Sequence, residues 1–168
     1  VVKNSIESTG GTAGSCYQCY PYRVDDDASS KQLGIVFRDT GISNKIGFTF
    51  QGLWGQVAAG EFMKDIGSMA PPFGGGDRLV SVILDGENAW ESYVKEHDGK
   101  GFFKALYKSL ADGYTVGEVV PVTVAEYILG NPDRNIPAHP LDSLKELEPL
   151  WAGSWIGGDF STWIGEGE

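Results

Sequence analysis

The sequence predicts an α/β fold with parallel strands, and three observations carry that prediction. Short apolar runs alternate with helical stripes in the order strand–helix–strand–helix–strand–helix. The central run, Leu79–Leu84, is apolar apart from Ser81 and rich in β-branched residues, which is how a strand buried on both faces reads. The run then halts at Asp85-Gly86-Glu87-Asn88. A carboxylate beyond the carboxyl end of a parallel barrel strand sits where active sites are assembled.

Each element follows from its residues. The first thirty positions are polar and Gly/Ser-rich and read as a long loop, with the acidic run Asp25–Asp27 as a solvated turn. Leu33–Phe37 (LGIVF) reads as a buried strand ending in the charged pair Arg38-Asp39. Within Ile42–Met69, residues Ile46, Phe50, Leu53, Trp54, Val57, Ala58 and Phe62 recur at three- and four-residue spacing, which predicts a helix. Ala70–Gly76 (APPFGGG) is a breaker loop. After the Leu79–Leu84 run, Phe103, Leu106, Tyr107 and Leu110 form a helical stripe within Phe102–Leu110. Val116–Val122 reads as a third short strand. Thr123-Val-Ala-Glu126 has the form of a capping box, so a short helix should run through Ala125–Leu129 and stop at Gly130-Asn131-Pro132. A Pro-rich connection and a Gly- and Trp-rich tail, Trp151–Glu168, complete the chain. Three strands are too few to close a barrel, so the sheet is either small and open or one part of a larger barrel.

Composition narrows the function. The 168 residues are 41% hydrophobic and 21% charged, enough for one folded domain with a core. A net charge of −10 and a pI of about 4.6 repel phosphate backbones, which argues against nucleic acid as a partner. No apolar run approaches the roughly 20 residues of a membrane span. The chain starts at Val1 and not at Met, and reads as a cut edge, so the compartment stays open between cytoplasmic and extracellular.

Several residues invite chemistry on type alone. Cys16 and Cys19 form a lone C-x-x-C, for which a local disulfide or two ordinary cysteines outweigh a redox or zinc role. His97 and His139 lie in polar or Pro-rich surroundings and read as surface residues. No cofactor or metal is implied. Indoles can stack on sugar faces, although most of the five Trp are expected in the core, and Trp90 reads as packing under the turn after Asp85. On residues alone, Asp39 and Asp85 would be the candidate pair of carboxylates. Arg38 and Asp39 are read either as polar contacts at the strand end or as a structural ion pair. Glu87 holds Asp85 on one reading, and forms the turn on the other.

Three blocks carry a resemblance: VFRDTGISNKIGF (Val36–Phe48), LVSVILDGENAWESY (Leu79–Tyr93) and GSWIGGDFSTWIGEGE (Gly153–Glu168). In that order and spacing they resemble the catalytic domain of glycoside hydrolase family 57, in particular its amylopullulanase-like and α-amylase-like members. The resemblance covers most of the chain from about residue 33. It implies part of an incomplete (β/α)7, TIM-like barrel, with residues 1–32 as a loop-rich excursion and 33–168 as the C-terminal portion of the barrel. It implies retaining cleavage or transfer of α-glucan linkages (starch, pullulan or glycogen-like), with an Asp acid/base, a Glu nucleophile and no catalytic metal. By position Asp85 matches the acid/base, and Arg38, Asp39, Glu87, Trp155, Asp159 and Trp163 are the candidate substrate contacts. The family pattern has Asp where Asn44 stands.

The family's nucleophile lies in an upstream block resembling W-P-S-E-G, and no such block occurs here. Retaining hydrolysis needs two carboxyl groups about 5–5.5 Å apart. Asp85 alone cannot form the glycosyl-enzyme. The expectation is therefore a chain inactive by itself, whose partners are an α-glucan and the remaining part of the barrel, on the same or another polypeptide. Two alternatives are a non-catalytic α-glucan-binding protein built on the same barrel, and a metal-dependent polysaccharide deacetylase. Two scattered His make a poor ligand set for the latter.

Overall fold

The structure is a computed structural model and describes residues 2–8, 17–26, 28–70, 76–87, 90–154 and 159–164. Its elements in chain order are α1 (Val2–Ser8), β1 (Tyr22–Asp26), β2 (Lys31–Ile35), α2 (Thr40–Asn44), α3 (Gly55–Ser68), α4 (Lys100–Thr115), α5 (Val124–Leu129), β3 (Lys145–Glu146) and α6 (Ser161–Ile164), with single turns of 3-10 or π helix between them. The class is mixed α/β. The chain divides into two compact units, Val1–Phe37 with His139–Glu168, and Arg38–Ala138.

The first unit is built on a sheet of order β2-β1-β3. β1 and β2 form an antiparallel hairpin, Tyr22 opposite Ile35 and Asp26 opposite Lys31. Asp26 closes the turn: its carbonyl accepts from Ser29 N and Ser30 N, and its Oδ1 accepts from Ala28 N. β3 adds in parallel on the other side of β1. Arg23 ties the two together, donating to Asp25, to the Asp142 carbonyl at 3.0 Å and to Glu146 Oε2 at 2.9 Å. Beneath the sheet, Ile6, Tyr22 and Leu147 form a small core with Tyr17, Val24 and Phe37. The Tyr22 hydroxyl donates to the Tyr17 carbonyl at 2.7 Å, and its ring meets Phe37 edge-on.

Two expectations change here. The first thirty positions contain α1 and β1 and are not only loop. The Leu33–Phe37 run is not a buried parallel strand: β2 lies at the sheet edge, antiparallel to its single neighbour, and Leu33 is 63% exposed. An apolar run reports apolarity, not how many neighbours will cover it.

The second unit is helical. The predicted Ile42–Met69 helix is a relay of segments. α2 passes through a π turn (Lys45–Thr49) and a 3-10 turn (Phe50–Gly52). The backbone extends at Leu53 and Trp54 before α3 begins. α3 packs on α4. Their core holds Ile42, Ile46, Phe50, Ala58, Ala59, Phe62, Tyr93, Phe102 and Leu106. The Phe102–Leu110 helix is found and is longer than expected. Phe102 and Leu106 turn inward, while Tyr107 of the predicted stripe stays exposed.

A carboxylate joins the two helices. Glu96 is buried, and its Oε1 accepts from Gly55 N at 2.7 Å, capping α3, whose own N-cap residue Trp54 offers no side-chain bond. Gly101 makes room for it, because a Cβ there would lie 1.8 Å from Glu96 Oε2. The approach to α4 turns through positive φ at His97, Asp98 and Gly99.

Two further corrections fall in this unit. Residues 79–84 are extended but form no strand with two covered faces: a lone parallel bridge joins Ser81 to Arg38, and Val82 and Ile83 are 36% and 44% exposed. Residues 116–122 are an irregular, mostly exposed stretch, because Gly117 turns at φ 77° and its neighbours bond back to the end of α4. The α5 capping box is present in both directions, Thr123 Oγ1 accepting from Glu126 N and Glu126 Oε2 from Thr123 N.

Candidate active site

Four of the sequence-predicted residues lie in the second unit, on two pieces of chain held side by side. The bridge between Arg38 and Ser81 is parallel, and Asp39 N donates to the Ser81 carbonyl at 2.9 Å. The segment therefore runs in the same direction as residue 38 and delivers Asp85 beyond its carboxyl end. Ile83 N donates to Ser43 Oγ at 3.2 Å, the last hydrogen bond before the acid among the described residues. Val80 and Leu84 pack against the helical core and anchor the segment from one side.

Asp85 and Glu87 are exposed, and among the described residues neither has a hydrogen-bond or ion-pair partner. Asn88, which follows in the same turn, lies outside the described residues. Arg38 donates through Nη2 to Asn44 Oδ1 at 3.0 Å. Asp39 is 3% exposed, and its Oδ1 accepts from Ile42 N at 2.9 Å, capping α2. Its Oδ2 is buried and has no partner among the described residues. Asp39 and Asp85 thus differ sharply in surroundings: one carboxylate serves a helix end, and the other faces outward.

The remaining candidates belong to the first unit. Asp159 Oδ1 accepts from Ser161 N at 2.9 Å and Ser161 Oγ at 2.6 Å, and these bonds hold its carboxyl below the usual range. Trp163 is exposed, and its indole N–H donates to Ser154 Oγ at 2.6 Å. Trp155 lies outside the described residues. Trp90 packs as expected, its ring 4.7 Å from Phe103 and 5.5 Å from Tyr93. Cys19 is buried and disulfide-bonded, in line with the local disulfide, and Cys16 lies outside the described residues. His97 is exposed and His139 half-buried.

Two polar groups of this unit escape sequence reasoning, and a third is read from it. Ser43 is wholly buried and reaches Ile83 across 40 positions. The Tyr93 hydroxyl donates to the Ile46 carbonyl of the π turn, and burial pushes its pKa up to about 12. Glu126 accepts from Asn131, Thr123 N and Arg134, which hold its carboxyl down at about 2. No local pattern signals the first two, whereas the third is announced by the capping box.

Among the described residues, no group of three or more His, Cys, Asp or Glu gathers to hold a metal ion. No helix among them is long and apolar enough to cross a membrane. Neither a curated protein nor a solved structure matches the chain. The family model for glycosyl hydrolase family 57 does match, over residues 6–139 of the 168, a span that contains Arg38, Asp39, Asp85 and Glu87. The chain belongs to that family of glycoside hydrolases.

Proposed function

We propose that this chain is the acid/base-bearing portion of a retaining α-glucan hydrolase or glucanotransferase, with Asp85 as the proton donor. The observation that carries the reading is the placement of Asp85. It sits past the carboxyl end of an extended segment that runs parallel beside Arg38, in a chain of this family. On this reading residues 33–168 belong to an incomplete (β/α)7 barrel, and residues 1–32 form an excursion from it.

The chemistry then divides between two carboxyl groups. A Glu attacks the anomeric carbon while Asp85 gives its proton to the departing glycosidic oxygen, leaving a covalent glycosyl-enzyme. Asp85, now ionised, takes a proton from water or from an acceptor sugar hydroxyl as that oxygen attacks and releases the Glu. Water gives hydrolysis, and the sugar hydroxyl gives transfer. An acid of this kind works shielded from water and facing the second carboxylate. The exposed Asp85 has neither among the described residues. On this reading the nucleophile comes from polypeptide outside this sequence.

The lesser roles follow from surroundings. Arg38, held by Asn44, and the exposed Glu87 are placed to meet sugar hydroxyls near the acid. Asp39 is a candidate contact only through its unpartnered Oδ2. Trp155, Asp159 and Trp163 are assigned to substrate contact from the tail block alone. The absence of a W-P-S-E-G-like block favours a second reading, a non-catalytic α-glucan-binding protein.

The test is turnover of soluble starch and pullulan, read as new reducing ends. The isolated chain is expected to release none, and robust turnover by it overturns the assignment. Supplied with the polypeptide that carries the nucleophile block, the wild-type chain is expected to be active. Asp85→Asn should then lower the rate by about 10²–10⁴-fold, the usual worth of a positioned acid. Glucan binding without turnover in that assembly establishes the second reading.

A further inference from the structure

We infer that Ser43 is a positioning residue for Asp85, its buried hydroxyl standing in for a strand neighbour and fixing the backbone two residues before the acid; the inference rests on the acid/base reading of Asp85. The argument starts from the hydrogen-bond pattern of a parallel ladder, in which a strand bonds alternately to carbonyl and amide of every second residue beside it. The Asp39 N–H to Ser81 carbonyl bond sets the register. In that register the next bond, from Ile83 N–H, belongs to the Asp39 carbonyl. That carbonyl is already taken. Residue 39 is the N-cap of α2, and its carbonyl accepts from Ser43 N at 3.0 Å as the helix begins.

The ladder is therefore interrupted where the chain turns into the helix, one residue pair short of Asp85. Ser43 repairs it. It lies one turn into α2, is 0% exposed, and its Oγ accepts from Ile83 N at 3.2 Å. The bond is relayed from the Asp39 carbonyl through Ser43 N–H and from Ser43 Oγ to Ile83 N–H. An alanine at 43 keeps the first link and breaks the second. The segment would then keep its bond at Ser81 and the packing of Leu84 but no hydrogen bond at Ile83, two residues before Asp85. A general acid tolerates little of that freedom, because proton transfer needs the donor within hydrogen-bond reach of the glycosidic oxygen.

Two measurements test this. In the chain itself, Ser43→Ala should speed amide hydrogen exchange at Ile83 by about three- to tenfold, the worth of one such bond. Ser43→Thr, which keeps the hydroxyl, should restore slow exchange, and an unchanged rate at Leu106 in α4 shows that the fold persists. An unaltered Ile83 rate in Ser43→Ala overturns the inference. In the assembly with the nucleophile-bearing polypeptide, Ser43→Ala should lower kcat/KM, which reports the steps up to the glycosyl-enzyme, about tenfold on maltooligosaccharides and little on 2-chloro-4-nitrophenyl maltosides, whose leaving group needs no proton. Ser43→Thr should recover kcat/KM. Equal loss on both substrates marks a merely structural residue and overturns the positioning role. Asp85→Asn separates the two readings. If it shows no leaving-group selectivity, the acid assignment falls and takes the inference with it. If it is selective and Ser43→Ala is not, the inference alone falls.

Discussion

The contact between Glu96 and Gly101 sets up a substitution whose effect should change sign with its background. A Cβ on Gly101 would lie 1.8 Å from Glu96 Oε2 and 3.0 Å from Glu96 Cδ, with its next contact an ordinary 3.6 Å. In Gly101→Ala the carboxylate must leave, and Gly55 N loses the 2.7 Å bond that caps α3. Loss of a cap costs about 0.5–2 kcal/mol. Crowding a packed site costs about 1–3 kcal/mol more. Gly101→Ala should therefore destabilise the protein by about 2–3 kcal/mol. In a Glu96→Ala background the obstacle is gone, and alanine is the better helix residue by about 0.5–1 kcal/mol. There the same change should be neutral or stabilising. The coupling of about 3 kcal/mol is read from four urea unfolding curves with equal m-values. Gly55→Ala serves as the control, because its Cβ would meet Gly101 and Phe102 backbone at 2.8 Å and stays destabilising in either background. Gly101→Ala equally destabilising with and without Glu96 refutes the reasoning.

Three further expectations follow from the same structure. Tyr93→Phe leaves the buried Ile46 carbonyl without its donor and should cost about 1–2 kcal/mol in the same unfolding assay. Because burial raises the Tyr93 pKa to about 12, the folded state holds the phenolic proton after the unfolded state has released it; stability should fall as pH rises from about 10 to 12, with Tyr93 ionisation seen by its ultraviolet absorbance late in that range. Glu126 is shifted the other way, down to about 2 by Asn131, Thr123 and Arg134, so its contribution is present above an ordinary Glu pKa near 4.5 and is lost as pH falls toward 2; amide exchange across α5 should accelerate in that window, and Glu126→Gln should remove the dependence. Asp39→Ala deletes the α2 cap and should cost about 1 kcal/mol, while Asp39→Asn keeps an acceptor and should cost less.

What the sequence makes legible is what its neighbours in sequence decide. The α5 capping box spans three positions and is found as written. The α4 stripe is found because a helix satisfies its own backbone, so periodicity suffices to announce it. Trp90 is a packing residue, set against Tyr93 and Phe103. Strands fare worse for a physical reason: an apolar run becomes a strand only when another piece of chain pairs with it. Leu33–Phe37 finds one partner and becomes an edge, residues 79–84 find a single bridge, and residues 116–122 find none among the described residues. The buried bonds of this unit join residues 40 positions apart, as Ser43 does with Ile83 beside the site, and 41 apart, as Glu96 does with Gly55 at the start of α3. A serine or glutamate within a helical stretch carries no mark of such a partner. Asp85 is legible because an acidic turn ending an apolar run is a local pattern, yet its exposure is not.

That exposure links the misread strand to the proposed chemistry. Val80 and Leu84 of the segment face the helical core, whereas Val82 and Ile83 are left half-open to solvent just before the acid. Covering the open half of those two side chains is worth about 1 kcal/mol each at the usual value per unit of apolar area. On the proposed reading the same cover would take Asp85 out of water and set it against the second carboxylate. One docking event would then bury the segment and complete the surroundings of the acid. The apolar composition that predicts burial on both faces would be met in that assembly, whereas among the described residues one face alone is packed. On this view Val82→Asp and Ile83→Asp should each cost the isolated chain about 1–2 kcal/mol, the worth of the covered part of the side chain, leave it folded, and abolish recovery of turnover when the nucleophile-bearing polypeptide is added. Recovery equal to wild type in both variants would show that this face meets solvent in the working enzyme too, and that the acid must be desolvated by some other route.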